Sequence, residues 1–228
     1  MFFQSLRKFQ QQDFSPLFKH NSTSIEMDIS FHLGAFIQKL DGMVDKMGES
    51  VDRLTQLLDT LLNWALQQRG HFPYVPEKMD LGELAKDVID MFKDNALSKK
   101  IELEFESDDA FELLVDKNTT STILRNLVNN AIKFTNTGGH VKMHASKDSS
   151  GQFCQIQVTD NGVGIPKEKL DVLFNLDETI STKGTFGETG LGLGLQLVYE
   201  FVNLNKGEIK VESNDGNGTT FTIKLPLA

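Results

Sequence analysis

The sequence predicts an α+β protein in two parts, a long helical hairpin followed by an α/β sandwich with one sheet face covered. Three observations carry this prediction. An unbroken heptad seam runs from Leu33 to Ala65. After Gly70 the periodicity changes to alternating helices and strands. Within that second region lie several glycine-rich stretches and an asparagine-rich helix.

At 228 residues, 39% hydrophobic and 24% charged, the chain is long enough for two cores and ordinary for a globular protein. Its formal charge of −9 speaks against nucleic acid and against an anionic membrane surface. A local basic pocket for phosphates fits within that acidic total. The single cysteine, Cys154, excludes an internal disulfide and any cysteine-based metal cluster. Its place in the alternating segment Phe153-Cys-Gln-Ile-Gln-Val158 reads as a small buried apolar residue. No apolar run approaches the roughly 18 residues of a membrane span, and no signal peptide opens the chain. The expectation is a reducing, cytoplasmic setting, with no membrane contact within these residues and any sensor or anchor outside them.

The elements follow in order. Met1 to His20 is a short helical candidate with Phe2, Leu6 and Phe9 on one face and Pro16 limiting it. Thr23 with Glu26 reads as a capping box, so the long helix is expected to begin near Ser24. Its seam is Leu33, Ile37, Leu40, Val44, Met47, Val51, Leu54, Leu58, Leu61 and Ala65, a rod on the order of 50 Å long. Phe36, Met43, Leu57 and Leu62 widen the stripe, which suits a dimeric four-helix bundle better than a two-stranded coil. A purely structural coiled coil is the competing reading. Residues 1–69 thus form the first part. Residues 70–80, with Gly70-His-Phe-Pro-Tyr-Val-Pro-Glu77, read as a short, stiff linker, and the second part covers 81–228.

In that part Asp80 caps a predicted helix over about Leu81 to Ala96. Strands follow at Ile101 to Phe105 and around Leu113, then a helix over about Lys117 to Phe134. Further strands are expected near Val141 to Ala145 and Gln155 to Thr159, with a short helix near Lys167. A helix over about Leu193 to Asn203 and strands at Glu208 to Glu212 and Thr219 to Leu225 complete a mostly antiparallel arrangement.

The chemistry concentrates in four places. Asp160-Asn-Gly-Val-Gly-Ile-Pro166 follows a strand; its glycines allow a flat ligand close approach, and Asp160 offers a carboxylate acceptor for an amino group. Gly187-Glu-Thr-Gly-Leu-Gly-Leu-Gly194 runs into an apolar helix, where backbone N–H groups and the helix dipole suit phosphate. Its G-x-G-x-G spacing does not match a dinucleotide fingerprint. Gly216-Asn-Gly-Thr-Thr-Phe221 alone reads equally as a hairpin turn. In Arg125-Asn-Leu-Val-Asn-Asn-Ala-Ile-Lys-Phe134, Asn126, Asn130 and Lys133 share one helix face, while Leu124, Leu127, Val128, Ala131 and Ile132 form the buried side. Amides and a lysine projecting together suit hydrated Mg²⁺ and phosphate oxygens.

Taken together and in this order, N-L-V-N-N-A-I-K-F-T, D-N-G-V-G-I-P, G-L-G-L-G-L and G-N-G-T-T-F resemble the ATP-binding domain of sensor histidine kinases, over essentially all of residues 80–228. The helix ending in Leu-Leu-Asn-Trp64-Ala resembles the second helix of that family's dimerisation and histidine-phosphotransfer domain. The resemblance implies a Bergerat-type sandwich, ATP and Mg²⁺ as cofactors, a homodimer through the N-terminal helices, an upstream sensor domain and a response regulator as partner. It also implies roles. Asp160 accepts a hydrogen bond from the adenine amino group, and Gly162, Gly164 and Ile165 belong with it to the ATP-binding set. Asn126 and Asn130 hold Mg²⁺ and the phosphates, with Lys133 as a fixed charge; these three are the catalytic candidates. Residues from about Asn175 to Gly190 form a lid with Phe174 anchoring its base and Lys183, Gly184 and Thr185 near the phosphates. Gly190, Gly192 and Gly194 hinge the lid and donate N–H groups, with Leu191 and Leu193 between them in the ATP-binding set, and Thr219 or Thr220 approaches the adenine side.

Related ATPases of the gyrase and mismatch-repair types carry a glutamate where Asn126 stands. An amide cannot deprotonate water, so hydrolysis is disfavoured and the γ-phosphoryl group is left for another nucleophile, in this family a histidine. The family's phosphoacceptor pattern, a histidine followed by an acidic residue and by a proline five positions on, is not met. Gln11 stands at the matching distance from Pro16; His20, His32, His71, His140 and His144 all lack the pattern. Three readings stay open: a chain truncated or altered in its first helix, a kinase with a degenerate motif, and a nucleotide-binding pseudokinase or dimerisation scaffold that signals by conformation.

Overall fold

The computed structural model describes residues 74–170, 172–174, 183–188, 192 and 194–228, together with Gly34, Phe36, Ile37, Lys39, Leu40, Gly42 and Met43. The last seven are helical, with Phe36, Leu40 and Met43 exposed. They belong to one compact unit, Met1–Leu54, and everything described below belongs to a second, Thr55–Ala228. The hairpin turn, the rest of the heptad seam and Trp64 lie outside the described residues, as do Gly190, Leu191 and Leu193.

The second unit is built on a five-stranded mixed sheet of order β2-β4-β5-β7-β6 and a two-stranded ribbon β1-β3. The strands are β1 (Glu77–Asp80), β2 (Glu102–Ser107), β3 (Glu112–Val115), β4 (His140–Lys147), β5 (Phe153–Asp160), β6 (Glu208–Ser213) and β7 (Thr219–Pro226). The helices are α1 (Leu81–Ser98), α2 (Lys117–Phe134), α3 (Lys167–Leu170) and α4 (Gly194–Leu204). β2 and β4 run parallel and the other neighbours antiparallel. Strand alternation sorts the two sheet faces. Val141, Met143, Ala145, Cys154, Ile156, Val158, Phe221, Ile223 and Leu225 point into the core, and the intervening positions are polar and more exposed. α1, α2 and α4 cover the apolar face, contributing Leu81, Leu84, Val88, Ile123, Leu127, Val128, Val198, Phe201 and Val202. Cys154 is fully buried, and burial pushes its thiol up to about 12.

The linker expectation needs correction at its end. Glu77–Asp80 pairs antiparallel with Glu112–Val115, so the last four residues of 70–80 form a strand. Only one of the four, Met79, is apolar, so no alternation announced it. Asp80 caps α1 as expected, its carboxylate accepting the Glu83 N–H at 3.0 Å. α1 runs two residues past the expected end. It is closed by Lys100 in the left-handed region (φ 55), with the Ile101 N–H returning to the Ala96 carbonyl at 2.8 Å.

α2 carries the candidate site residues, and buried polar groups fix its N-terminal end. The Asp116 carboxylate accepts the N–H of Thr119 at 2.9 Å and that of Val75 at 3.1 Å. The Asp116 N–H donates to Asn205 Oδ1 at 3.0 Å, while Asn205 Nδ2 donates to Thr119 Oγ1 and to the Phe201 carbonyl, each at 2.8 Å. Asn205 follows α4 directly and is fully buried, so this network sets the start of α2 against the end of α4. Among the described residues no helix is long and apolar enough to cross a membrane.

Candidate functional site

β5 ends on Asp160, whose side chain lies on the covered face and is only 6% exposed. Its Oδ1 accepts the Gly162 N–H at 2.8 Å. Burial raises the carboxyl above its ordinary value, and hydrogen bonds from the Gly162 and Thr219 N–H groups and the nearby His140 only partly offset this. The loop beyond it packs against the end of α2. The Val163 N–H donates to the Phe134 carbonyl at 3.1 Å, and a Cβ at Gly162 would stand 2.2 Å from that same oxygen. Gly164 adopts φ 72 with Asn214 against it, where a Cβ would lie 2.1 Å from the Asn214 carbonyl oxygen. A side chain at either position would drive the loop off its neighbour. The Ile165 N–H donates to Ser213 Oγ at 2.8 Å, and Ser213 Oγ in turn reaches the Gly218 carbonyl and Thr219 Oγ1. The 160–166 and 214–218 loops are thereby joined into one wall.

β7 resolves the choice between its two threonines. Thr219 pairs with Asp160 and is buried on the same face. Thr220 points to the opposite face, where its hydroxyl meets Thr159 Oγ1 at 3.1 Å, and it does not join the site.

On α2, Asn126, Asn130 and Lys133 stand in line and half-buried. Asn126 Nδ2 donates to the Thr122 carbonyl at 2.8 Å, which leaves Oδ1 as the amide's outward acceptor. A Cβ at Gly194 would stand 2.6 Å from that oxygen, so the first residue of α4 lies directly against Asn126. The asparagine face and the glycine-led helix start, far apart in sequence, therefore meet. An amide oxygen beside a helix N-terminus offers one ligand to a hard cation and N–H donors to an anion.

Residues 183–188 close on the other end of α2. The Gly184 N–H donates to the Glu188 carbonyl at 2.7 Å and the Gly187 N–H to the Gly184 carbonyl at 2.9 Å, making a tight turn. The Thr185 N–H donates to the Lys133 carbonyl at 3.0 Å, and its hydroxyl to the Thr135 carbonyl at 2.7 Å. Gly184 and Thr185 thus lie beside Lys133, while the neighbouring Lys183 side chain is exposed. Lys133 Nζ stands 4.8 Å from the centre of the Phe134 ring. Phe174 stacks on Tyr199 of α4, ring centres 5.6 Å apart. Gly192 has φ 75.

Sequence reasoning missed Ser213, which links the two loops, and Lys99, which lies under the 183–188 turn. Lys99 is 4% exposed. Its signal in the sequence was only one of two adjacent lysines after α1, indistinguishable from a solvated pair.

A mixed sheet covered on one face by helices, with an acidic strand end, an asparagine-bearing helix and a glycine-led helix start converging, defines an α/β ATP-binding domain of the histidine-kinase kind. Residues 115–228 match the model of the family described as histidine kinase-, DNA gyrase B- and HSP90-like ATPases, and the chain belongs to that family. It is 30% identical over 198 residues to the autoinducer 2 sensor kinase/phosphatase LuxQ of Vibrio harveyi, covering 83% of this chain and 23% of that one. It is 32% identical over 182 residues to the sensor histidine kinase ZraS of Escherichia coli K12, covering 79% and 37%. The chain thus spans well under half the length of these relatives. Among solved structures, full-length ShkA in complex with AMPPNP superposes with a TM-score of 0.67 at 26% identity, covering 82% of this chain and 39% of that one. The catalytic domain of histidine kinase ThkA gives 0.56 at 26% identity, covering 67% and 95%.

Proposed function

We propose that the chain is the cytoplasmic core of a sensor histidine kinase, which binds Mg-ATP and transfers its γ-phosphoryl group to a histidine. The division is helices for dimerisation and phosphotransfer over 1–69, a connection over 70–80 whose last residues form β1, and the catalytic domain over 81–228. The observation that carries the reading is the meeting of Asn126 Oδ1 with the N-terminus of α4 at Gly194, on the helix whose far end carries Lys133.

In this reading Asp160 takes the adenine amino group in the wall formed by Gly162, Gly164, Ile165 and Thr219. Asn126 and Asn130 offer amide oxygens to Mg²⁺. Among the described residues no group of three or more His, Cys, Asp or Glu side chains is arranged to hold a metal, so amide oxygens, nucleotide phosphates and water are the fitting ligand set. Mg²⁺ held there would supply charge neutralisation to the nucleotide phosphates. The chain's own part is alignment: Lys133, the 183–188 turn and the α4 N–H groups hold the phosphates in place. With an amide at position 126, no carboxylate base serves water there, which favours phosphoryl donation over hydrolysis. A homodimer, an upstream sensor and a response regulator complete the proposal, in keeping with relatives named as sensor kinases.

The test is incubation with γ-labelled ATP and Mg²⁺, alone and with a partner protein carrying a phosphoacceptor helix. Acid-labile label on either protein is the expected result. Tight nucleotide binding with no label on either overturns the transfer step, and rapid phosphate release without protein label overturns the assignment of Asn126.

A further inference from the structure

A buried ammonium joins the two sides of the phosphate region. Lys99 follows α1 directly, outside every motif, and its side chain is 5% exposed. Its Nζ lies 2.8 Å from the Ile132 carbonyl and 3.1 Å from that of Lys133, at the C-terminal end of the α2 hydrogen-bond ladder. It also lies 2.7 Å from Thr185 Oγ1 and 3.0 Å from Glu188 Oε1, with the Phe186 ring centre at 5.3 Å. Four acceptors surround a group with three N–H bonds, so the cation has no need of water.

Two of these partners are helix C-terminal carbonyls, where a positive charge is favoured by the dipole. The other two belong to the 183–188 turn. Glu188 is bound at both oxygens, Oε1 by Lys99 and Oε2 by the Phe186 N–H at 2.8 Å. Burial pushes its carboxyl up, but its own N–H, the Lys99 bond, the Phe186 N–H and the Lys99 charge outweigh this and hold it below the ordinary value. The turn then presses on Lys133: a Cβ at Gly184 would stand 2.6 Å from Lys133 Cγ and 2.9 Å from the Lys133 carbonyl oxygen. The Lys133 stem is therefore walled by a turn held to α2 both directly, through Thr185, and through Lys99.

We propose that Lys99 is a positioning residue for nucleotide phosphates, acting by tying the 183–188 turn to the end of α2 and so fixing Lys133 and Thr185. This rests on the nucleotide reading of the site. Removing the ammonium leaves two helix-end carbonyls and a partly buried carboxylate without their cation. The turn is then held to α2 by the Thr185 bonds alone and its hold on Lys133 loosens, while Asp160 and its wall, held by separate hydrogen bonds, stay in place. In this proposal Lys99 acts through Lys133 and Thr185 and not on the nucleotide itself.

The experiment compares Mg-ATP and AMP binding to the full chain by titration calorimetry, for the wild type, Lys99→Met, Glu188→Gln and the double variant. AMP carries the base but lacks the β- and γ-phosphates. Wild type that binds neither nucleotide overturns the nucleotide reading itself, and this proposal with it. Given wild-type binding, Lys99→Met is expected to weaken Mg-ATP by about tenfold or more and AMP by less than about twofold. Glu188→Gln, at a side chain 37% exposed, is expected to act in the same direction but more weakly, and the double variant to be no worse than Lys99→Met. Equal losses for both nucleotides, or unchanged Mg-ATP affinity in both single variants, overturn the proposal. If Lys99→Met fails to fold, Glu188→Gln decides it by the same ATP-to-AMP comparison.

Discussion

Replacing Asp160 by asparagine changes one atom at the proposed adenine contact, and its effects on stability and on binding are expected to have opposite signs. Oδ1 of the new amide still accepts the Gly162 N–H, which stands at 2.8 Å in the parent. The other oxygen becomes an NH₂, which faces the adenine amino group donor to donor. Loss of a hydrogen bond to a charged acceptor costs about 1.5–3 kcal/mol, so nucleotide affinity should fall roughly 10- to 150-fold. Without nucleotide the direction reverses. Asp160 has its carboxyl raised by burial, so the stability it contributes is full below its unfolded value and is lost as pH rises through the folded one. At neutral pH the buried charge is a cost, and the asparagine removes it. The assay is thermal unfolding with and without Mg-ADP. At 100 times the wild-type Kd, ligand adds about 2.7 kcal/mol, or roughly 5–11 °C for a unit of this size. A 100-fold weaker variant at the same concentration gains only about 0.4 kcal/mol. A variant whose ligand-induced shift equals that of the wild type refutes the adenine role of Asp160. A large drop in its ligand-free Tm refutes the electrostatic reasoning.

Three further outcomes follow from the same geometry. Nucleotide affinity of the wild type should weaken on acidification, beginning above the ordinary carboxylate range because Asp160 titrates high, and Asp160→Asn should flatten that part of the profile in a calorimetric pH series. Gly164→Ala places a methyl group 2.1 Å from the Asn214 carbonyl oxygen at φ 72. Left-handed strain and overpacking together should cost about 2–4 kcal/mol in urea unfolding, with a matching loss of nucleotide affinity. Lys100→Gly relieves a left-handed residue (φ 55) at an exposed helix end; net of the added unfolded-state entropy it should gain about 0.5 kcal/mol in the same assay.

Most of the second unit could be read from the sequence, because its elements carry strong local signals. α2 was expected over the residues it occupies, since its apolar face has helical period and runs into Thr135 and Asn136 at its end. β5 and β7 alternate cleanly, which placed both strands but not their ends: Gln155 to Thr159 was expected where Phe153–Asp160 is found, and Thr219 to Leu225 where Thr219–Pro226 is found. What escaped was set by partners distant in the chain. β1 exists because Glu77–Asp80 finds β3, more than thirty residues on, and its own side chains are mostly polar. Thr219 and Thr220 are chemically identical, so only the pairing of Thr219 with Asp160 decides which of them faces the site. The parallel pairing of β2 with β4 leaves no local mark either. Lys99 is the sharpest case: its burial depends on Ile132, Lys133, Thr185 and Glu188, none of them near it in sequence. The motifs marked the chemistry well but said nothing of what holds them in place.

The most direct test of the account is a structure of the full chain with Mg²⁺ and a non-hydrolysable ATP analogue. The expected result places the adenine amino nitrogen about 3 Å from an Asp160 carboxylate oxygen, and the triphosphate along the Asn126, Asn130 and Lys133 face toward the start of α4. A nucleotide seated elsewhere, or with its base away from Asp160, would contradict the assignment of this site.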